Sequence, residues 1–203
     1  MENKRYYKLT DQNCATYGGY QWVPGEWRMT DGSGELCGPG WLHGYHHPLL
    51  AAFLNPIHAR IKYPRLWAVE TDGEIRDDNG LKFGTTKMRL VEELAMPEVT
   101  TTQRVAFAIL CAKEVCRDAA WNDWADKWLS GEDRSVESAY ATIYAACYAA
   151  MAAFNAAWAA YFAASAAYAA DYTMIYCNAA YAAHYVANGK IDLIAIAQKA
   201  MQY

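Results

Sequence analysis

The residues able to do chemistry concentrate between Cys37 and His58, where the string CGPGWLHGYHHP sets Cys37, His43, His46 and His47 within eleven residues. A thiolate and imidazoles offer zinc a soft ligand and nitrogen ligands. The spacing lacks the second ligand pair of a zinc finger unless Cys14 or His58 contributes, and no metal is assigned. Cys37 beside a histidine base has the residue types of a nucleophile pair. Closeness in sequence does not supply the geometry, so no catalytic residue is assigned either. Gly32, Gly34, Gly38 and Gly40 lack both the lysine–serine ending of a phosphate loop and a strand-to-helix context. They read as a turn-rich connection that gathers aromatic and imidazole groups into a ligand-binding wall. The candidate ligand-binding residues are Trp41, His43, Tyr45, His46, His47 and Glu70. Glu70, Glu74, Asp77 and Asp78 flank turns, where solvated acids are ordinary. No cofactor is expected.

The elements that must position these groups split near Pro97. All six prolines and most glycines precede residue 99, and only Gly131 and Gly189 follow it. We expect an α+β fold: residues 1–98 as a small domain with a mainly antiparallel sheet, and residues 99–203 as a long alanine-rich, coiled-coil-like helical region. In the first part, Arg5–Leu9 and Tyr20–Met29 are candidate strands, the second interrupted by Pro24-Gly25. Arg65–Glu70 leads through Thr71-Asp72-Gly73 into Glu74–Arg76, which predicts a hairpin because Asp-Gly tolerates positive φ. Asn79-Gly80 offers the same turn chemistry before a strand over Thr86–Leu94. Pro48 can start a short helix through Leu54 that Asn55-Pro56 ends.

In the second part, Thr100–Thr102 can cap a helix over Gln103–Leu129 that ends at Ser130-Gly131. Its apolar stripe holds Val105, Ile109, Ala112, Val115, Cys116 and Ala119, extended by Trp121, Trp124 and Trp128. From residue 144 to 178 one seven-residue phrase then recurs five times. Its first position holds Tyr144, Met151, Trp158, Ser165 and Tyr172, and its fourth Cys147, Phe154, Tyr161, Tyr168 and Ile175. Large residues alternately three and four apart make a helical seam. Asp171 is the only formal charge between Glu137 and Lys190, so the seam lacks the usual charged flanks. The pattern predicts one helix capped at Asp133 or Ser135 and able to run to Ala187, with a bend near Asp171–Thr173 as the alternative. The seam residues Tyr144, Cys147, Met151, Phe154, Trp158, Tyr161, Tyr168, Tyr172 and Ile175 are the expected interface of a homo-oligomer. Asn188-Gly189 stops the helix before a short one carrying Ile191, Ile194 and Met201.

Composition sets the outer limits. The chain has 203 residues, 54% of them hydrophobic, enough for a core. Its net charge of −4 argues against general nucleic-acid binding, which needs a basic face. Tyrosine recurs throughout the uncharged stretch instead of collecting at its ends, and alanine is a poor membrane residue, so no membrane span is expected. The start MENKRYYK has no apolar run, and the six cysteines show no paired spacing. The expectation is a cytoplasmic protein with reduced thiols.

The segments GELCGPGWLHGY, LNPIHA, LWAVE and DDNGLKFG, followed by the alanine-rich heptads, resemble an uncharacterised group of tailed-bacteriophage proteins over roughly residues 5–135. The resemblance implies phage origin and action in the cytoplasm of an infected bacterial host. A fainter similarity is to ADP-ribosyltransferase-like folds, through Gly40–His43, Pro48–Leu54 and Arg65–Glu70, without the histidine of that family's first strand. The favoured expectation is a non-enzymatic, oligomeric binding protein directed at a host defence protein or a small nucleotide signal. A virion or assembly component and an ADP-ribosyltransferase-like enzyme are the alternatives.

Overall fold

The computed structural model describes residues 5–150, 154–169, 172–187 and 190–203, without the side chains at 144–150, 154–157, 172, 173 and 176. The chain divides into two compact units, Met1–Glu98 and Val99–Tyr203.

The first unit is strand-rich, with Tyr6–Thr10 (β1), Ala15–Thr16 (β2), Tyr20–Gln21 (β3), Arg28–Met29 (β4) and Leu42–Gly44 (β5). After helix Pro48–His58 (α1) come Arg65–Thr71 (β6), Ile75–Asp78 (β7), Lys82–Thr85 (β8) and Lys87–Leu94 (β9). Every strand pairing is antiparallel. One sheet runs β1-β6-β9-β4, another β5-β8-β7, and β2 pairs with β3. A bridge between Tyr7 and Tyr45, with N–H···O distances of 2.9 and 2.7 Å, joins β1 to the strand leaving β5. The two larger sheets thereby form a half-barrel. The α+β class with an antiparallel sheet, expected from the sequence, is what the structure has.

The hairpin turn lies elsewhere than Asp72-Gly73. There β6 passes into β7 without pairing to it, and the reversal occurs at Asn79-Gly80, both at positive φ (52° and 82°). Residues 65–94 thus form one long hairpin bent in the middle. Its ladder continues through the bend, where Thr86 and Glu74 exchange backbone and side-chain bonds. A Cβ on Gly73 would meet Thr86 Oγ1 at 2.4 Å, so the glycine serves the close crossing of the two arms, not the tight turn.

Helix α1 also outruns its expected stop at Leu54. Pro56 lies in its last turn, where a missing N–H forfeits one bond. The Asn55 side chain clamps the exit, donating to Ile61 O and accepting from Ile61 N. The interior of the half-barrel gathers Trp22, Leu42, Trp67, Val69, Phe83, Met88 and Leu90, with Tyr6 and Cys14 against them.

The second unit is helical: Thr101–Val115 (α2), Ala119–Ser130 (α3), Val136–Ala150 (α4), Phe154–Tyr168 (α5), Tyr172–Val186 (α6) and Leu193–Ala200 (α7). Two expectations are corrected. The helix expected over Gln103–Leu129 breaks at Cys116–Asp118. The Arg117 guanidinium caps the end of α2 on Lys113 O and Glu114 O, while Asp118 Oδ1 accepts from Trp121 N (2.7 Å) to open α3. The long heptad helix is likewise replaced by α4, α5 and α6, with α5 packed against both of the others. Rings pair Trp158 with Tyr185 and Phe162 with Tyr181, so rising numbers on α5 meet falling numbers on α6 and the two are antiparallel. Alanine makes the close approach possible: Ala159, Ala160, Ala163, Ala164, Ala179 and Ala183 are fully or almost fully buried.

Of the expected interface residues, Trp158 and Tyr161 join this aromatic cluster, Tyr168 packs at a tilt against Tyr140 of α4, and Ile175 is buried. Met151 lies outside the described residues, as do the side chains of Tyr144, Cys147, Phe154 and Tyr172. α2 is buried from Arg104 to Ala112 on all sides, because α5, α6 and α7 surround it. No helix among the described residues is long and apolar enough to cross a membrane.

Candidate functional site

β5 places the histidine-rich segment across from β8, and strand alternation divides the candidates. Leu42 and Gly44 point inward, where a Cβ on Gly44 would meet the Phe83 ring at 2.7 Å. His43 points outward. It stands opposite Gly84, as does Arg76 from the other side, so both share the outer face. Its Nε2 lies 2.5 Å from Leu36 O, under the loop that leads to β5. Burial lowers the His43 proton affinity, partly offset by the Leu36 carbonyl. Trp41 is buried on this face, and the Arg76 guanidinium lies 4.4 Å from its ring centre. Cys37, in the same loop, is exposed and carries a free thiol.

The other candidates go to different places. Tyr45 is buried, with its ring stacked on His58, and burial pushes its hydroxyl above the usual tyrosine range. His46 sits at the inner edge against Tyr6 and Phe83, with its Nε2 2.8 Å from Asp77 Oδ1. A carboxylate at Nε2 fixes the proton there in the neutral ring, so Nδ1 is the acceptor nitrogen, and it has no hydrogen-bond partner. His47 caps α1, accepting from Leu49 N at Nδ1, and burial lowers its proton affinity. Glu70 pairs with Arg89, beside the Asp72–Lys87 pair, and Lys87 and Arg89 both lie over Trp27. The structure therefore brings His43 and Trp41 together on one face and His46 to Tyr6, Phe83 and Asp77. It ties Glu70 into a charged ladder. Among the described residues no group of three metal-ligating side chains converges.

Lys8 is the residue that sequence reading passed over. It stands on β1 opposite Trp67, 6% exposed, its Nζ donating to His43 O (2.7 Å) and lying 4.6 Å from the Trp22 ring centre. Burial lowers its proton affinity to about 7.

Residues 4–102 match the family described as Domain of unknown function (DUF7666), just under half of the chain. The strand-rich unit is therefore similar to that family, whose description names no activity. No curated protein and no solved structure matches the chain.

Proposed function

We propose that the chain is a phage-encoded binding protein that works as a homo-oligomer in the cytoplasm of the infected host, against a host defence protein or a nucleotide-like signal. The observation that carries binding over catalysis is how the acid–base groups are engaged. His43 is held by a carbonyl, His47 by a helix N-terminus and Glu70 by an arginine, and the unpartnered Nδ1 of His46 is buried away from solvent. Groups held this way position backbone and rings, whereas a general base needs a lone pair within reach of a substrate proton. The assembly half is supported by the helical unit, which leaves the Tyr140–Tyr168 ring pair, Val136 and Met174 exposed. Repeated copies would give avidity without new contact chemistry.

Light scattering over a concentration series tests the assembly. A stable multiple of 22.7 kDa is expected, and a clean monomer throughout would overturn the oligomer. In the same preparation, His43→Ala and His46→Ala are expected to lower phage fitness without changing the mass. Undiminished fitness would remove these histidines from the binding surface.

A further inference from the structure

Arg5 and every lysine or arginine on β4, β6, β7, β8 and β9 lie within ion-pair distance of a carboxylate. Apart from the buried Lys8, only Arg60 and Lys62 among the described residues of the strand-rich unit do not. Both belong to the connection of residues 59–64 between α1 and β6, and both are exposed. Free cations side by side in a chain of net charge −4 make a local field opposite in sign to the whole.

Hydrogen bonds hold this connection in one shape. The Asn55 side chain bonds both the N–H and the carbonyl of Ile61, and Gln12 Nε2 donates to Tyr63 O (2.9 Å). Arg60 N donates to Asn55 O (2.7 Å), and Arg60 takes φ of 55°, the left-handed position after a helix that glycine usually fills. A side chain costs stability there, and the chain nevertheless carries an arginine.

The same bonds join the connection to the hairpin of β2 and β3. Thr10 stands opposite Arg65, so the loop leaving β1 emerges beside the start of β6. In that loop Gln12 holds Tyr63, and Asn13 O accepts from Gln21 Nε2 (2.6 Å) on β3. The turn from β2 to β3 carries Tyr17, 95% exposed, and leads into the exposed Tyr20, while Tyr63 is 64% exposed with Lys62 over its ring. These tyrosines and the free cations thereby stand at one end of the unit. Its carboxylates are engaged elsewhere. Asp11 Oδ1 accepts from Asn13 N and Ala15 N, and Glu93 binds Arg65 through both oxygens. Glu98 follows β9, whose Leu94 stands opposite Leu66, and pairs with neither Arg60 nor Lys62.

We propose that this end of the strand-rich unit docks an acidic peptide segment of the target, with Arg60 and Lys62 on its carboxylates and Tyr17, Tyr20 and Tyr63 on its apolar side chains. The inference rests on the binding function above and narrows its target to a protein. Tyrosine and arginine on a fixed backbone are what interface centres are enriched in, because they bring contact area at little cost in entropy. Charge selects the partner: a pair of free cations matches carboxylates, whereas a nucleic acid needs a continuous basic groove.

Fluorescence anisotropy of a labelled peptide of alternating glutamate and leucine, titrated with the full chain at low and at high salt, tests this. The expected result is binding that weakens about tenfold or more at high salt, with a glutamine–leucine counterpart at least about tenfold weaker. Arg60→Gly combined with Lys62→Gln should lose at least about tenfold in affinity while the unfolding midpoint is no lower, since glycine suits the left-handed position. Tyr63→Ser should also weaken binding. No binding by the wild-type chain, salt-independent binding, or equal binding by the double variant overturns the proposal. An oligothymidylate bound more tightly than the peptide overturns it too, and assigns the surface to single-stranded nucleic acid. A chain that assembles in light scattering but ignores the peptide loses this surface and keeps the oligomer, whereas a monomer that binds the peptide keeps the surface and loses the oligomer.

Discussion

An ammonium buried at Lys8 without a carboxylate makes stability depend on pH in a definite direction. Its proton affinity falls from the ordinary 10.5 to about 7 in the folded chain. Between those values the unfolded chain holds a proton that the folded chain lacks, so stability rises as pH climbs from about 7 toward 10.5 and is level below about 7. At ~1.4 kcal/mol per pKa unit the whole span is bounded by about 5 kcal/mol. Lys8→Met should therefore raise stability at about pH 7 by on the order of 2 kcal/mol, after the lost hydrogen bond is counted, and should flatten the rise toward alkaline pH. Urea unfolding of both chains at neutral and alkaline pH checks this, and a less stable Lys8→Met at neutral pH would refute it. Nothing in the sequence marked this lysine. Tyr6, Lys8 and Thr10 alternate with Tyr7 and Leu9, which reads as one wet face and one dry. The structure buries both, because β1 lies between β6 and the strand leaving β5 with α1 against it. Pairing across that many residues leaves no local trace.

Among the elements, the break between α2 and α3 has its own chemistry. Asp118 accepts from the backbone at the start of α3, and Arg117 binds the last carbonyls of α2. Asp118→Ala should cost about 1 kcal/mol, the usual value of an N-cap, readable as a lower Tm, while Asp118→Asn should cost much less. Equal losses from both changes would mean that the carboxylate charge, not the cap, matters. The apolar periodicity of residues 105–128 was legible, but the short polar interruption was not, since Arg117-Asp118 fits the outer face of one continuous helix as well as two caps. The heptads misled for a related reason. Large residues three and four apart specify a helix with a seam, and say nothing of whether the partner is another copy or the same chain folded back. Trp158 finds Tyr185 within the chain. The turn chemistry of Asn79-Gly80 was read correctly as a turn, whereas Asp72-Gly73 carries the same letters for a different purpose, the crossing of two bent arms.

At the scale of the whole molecule, the α+β class was legible because strand alternation, turn dipeptides and alanine periodicity are each local. The half-barrel was not, since it depends on β1 meeting both Arg65–Val69 and Tyr45 across long stretches of chain. The bent hairpin over residues 65–94 also bears on the order of events in folding. It alone contributes a strand pair to each of the two larger sheets, and its partners are neighbours in sequence. Closing so short a loop loses little chain entropy, whereas β1 must cross more than fifty residues to reach β6. The hairpin should assemble first and present two open edges, with β1 and β5 adding afterwards. In pulsed hydrogen exchange during refolding, amides of residues 65–94 should gain protection before those of residues 6–10, and the reverse order would exclude this route. The strand carrying Lys8 then arrives after the hairpin, so the buried amine is dehydrated only when β1 docks, and that side of the interior remains open to solvent until then.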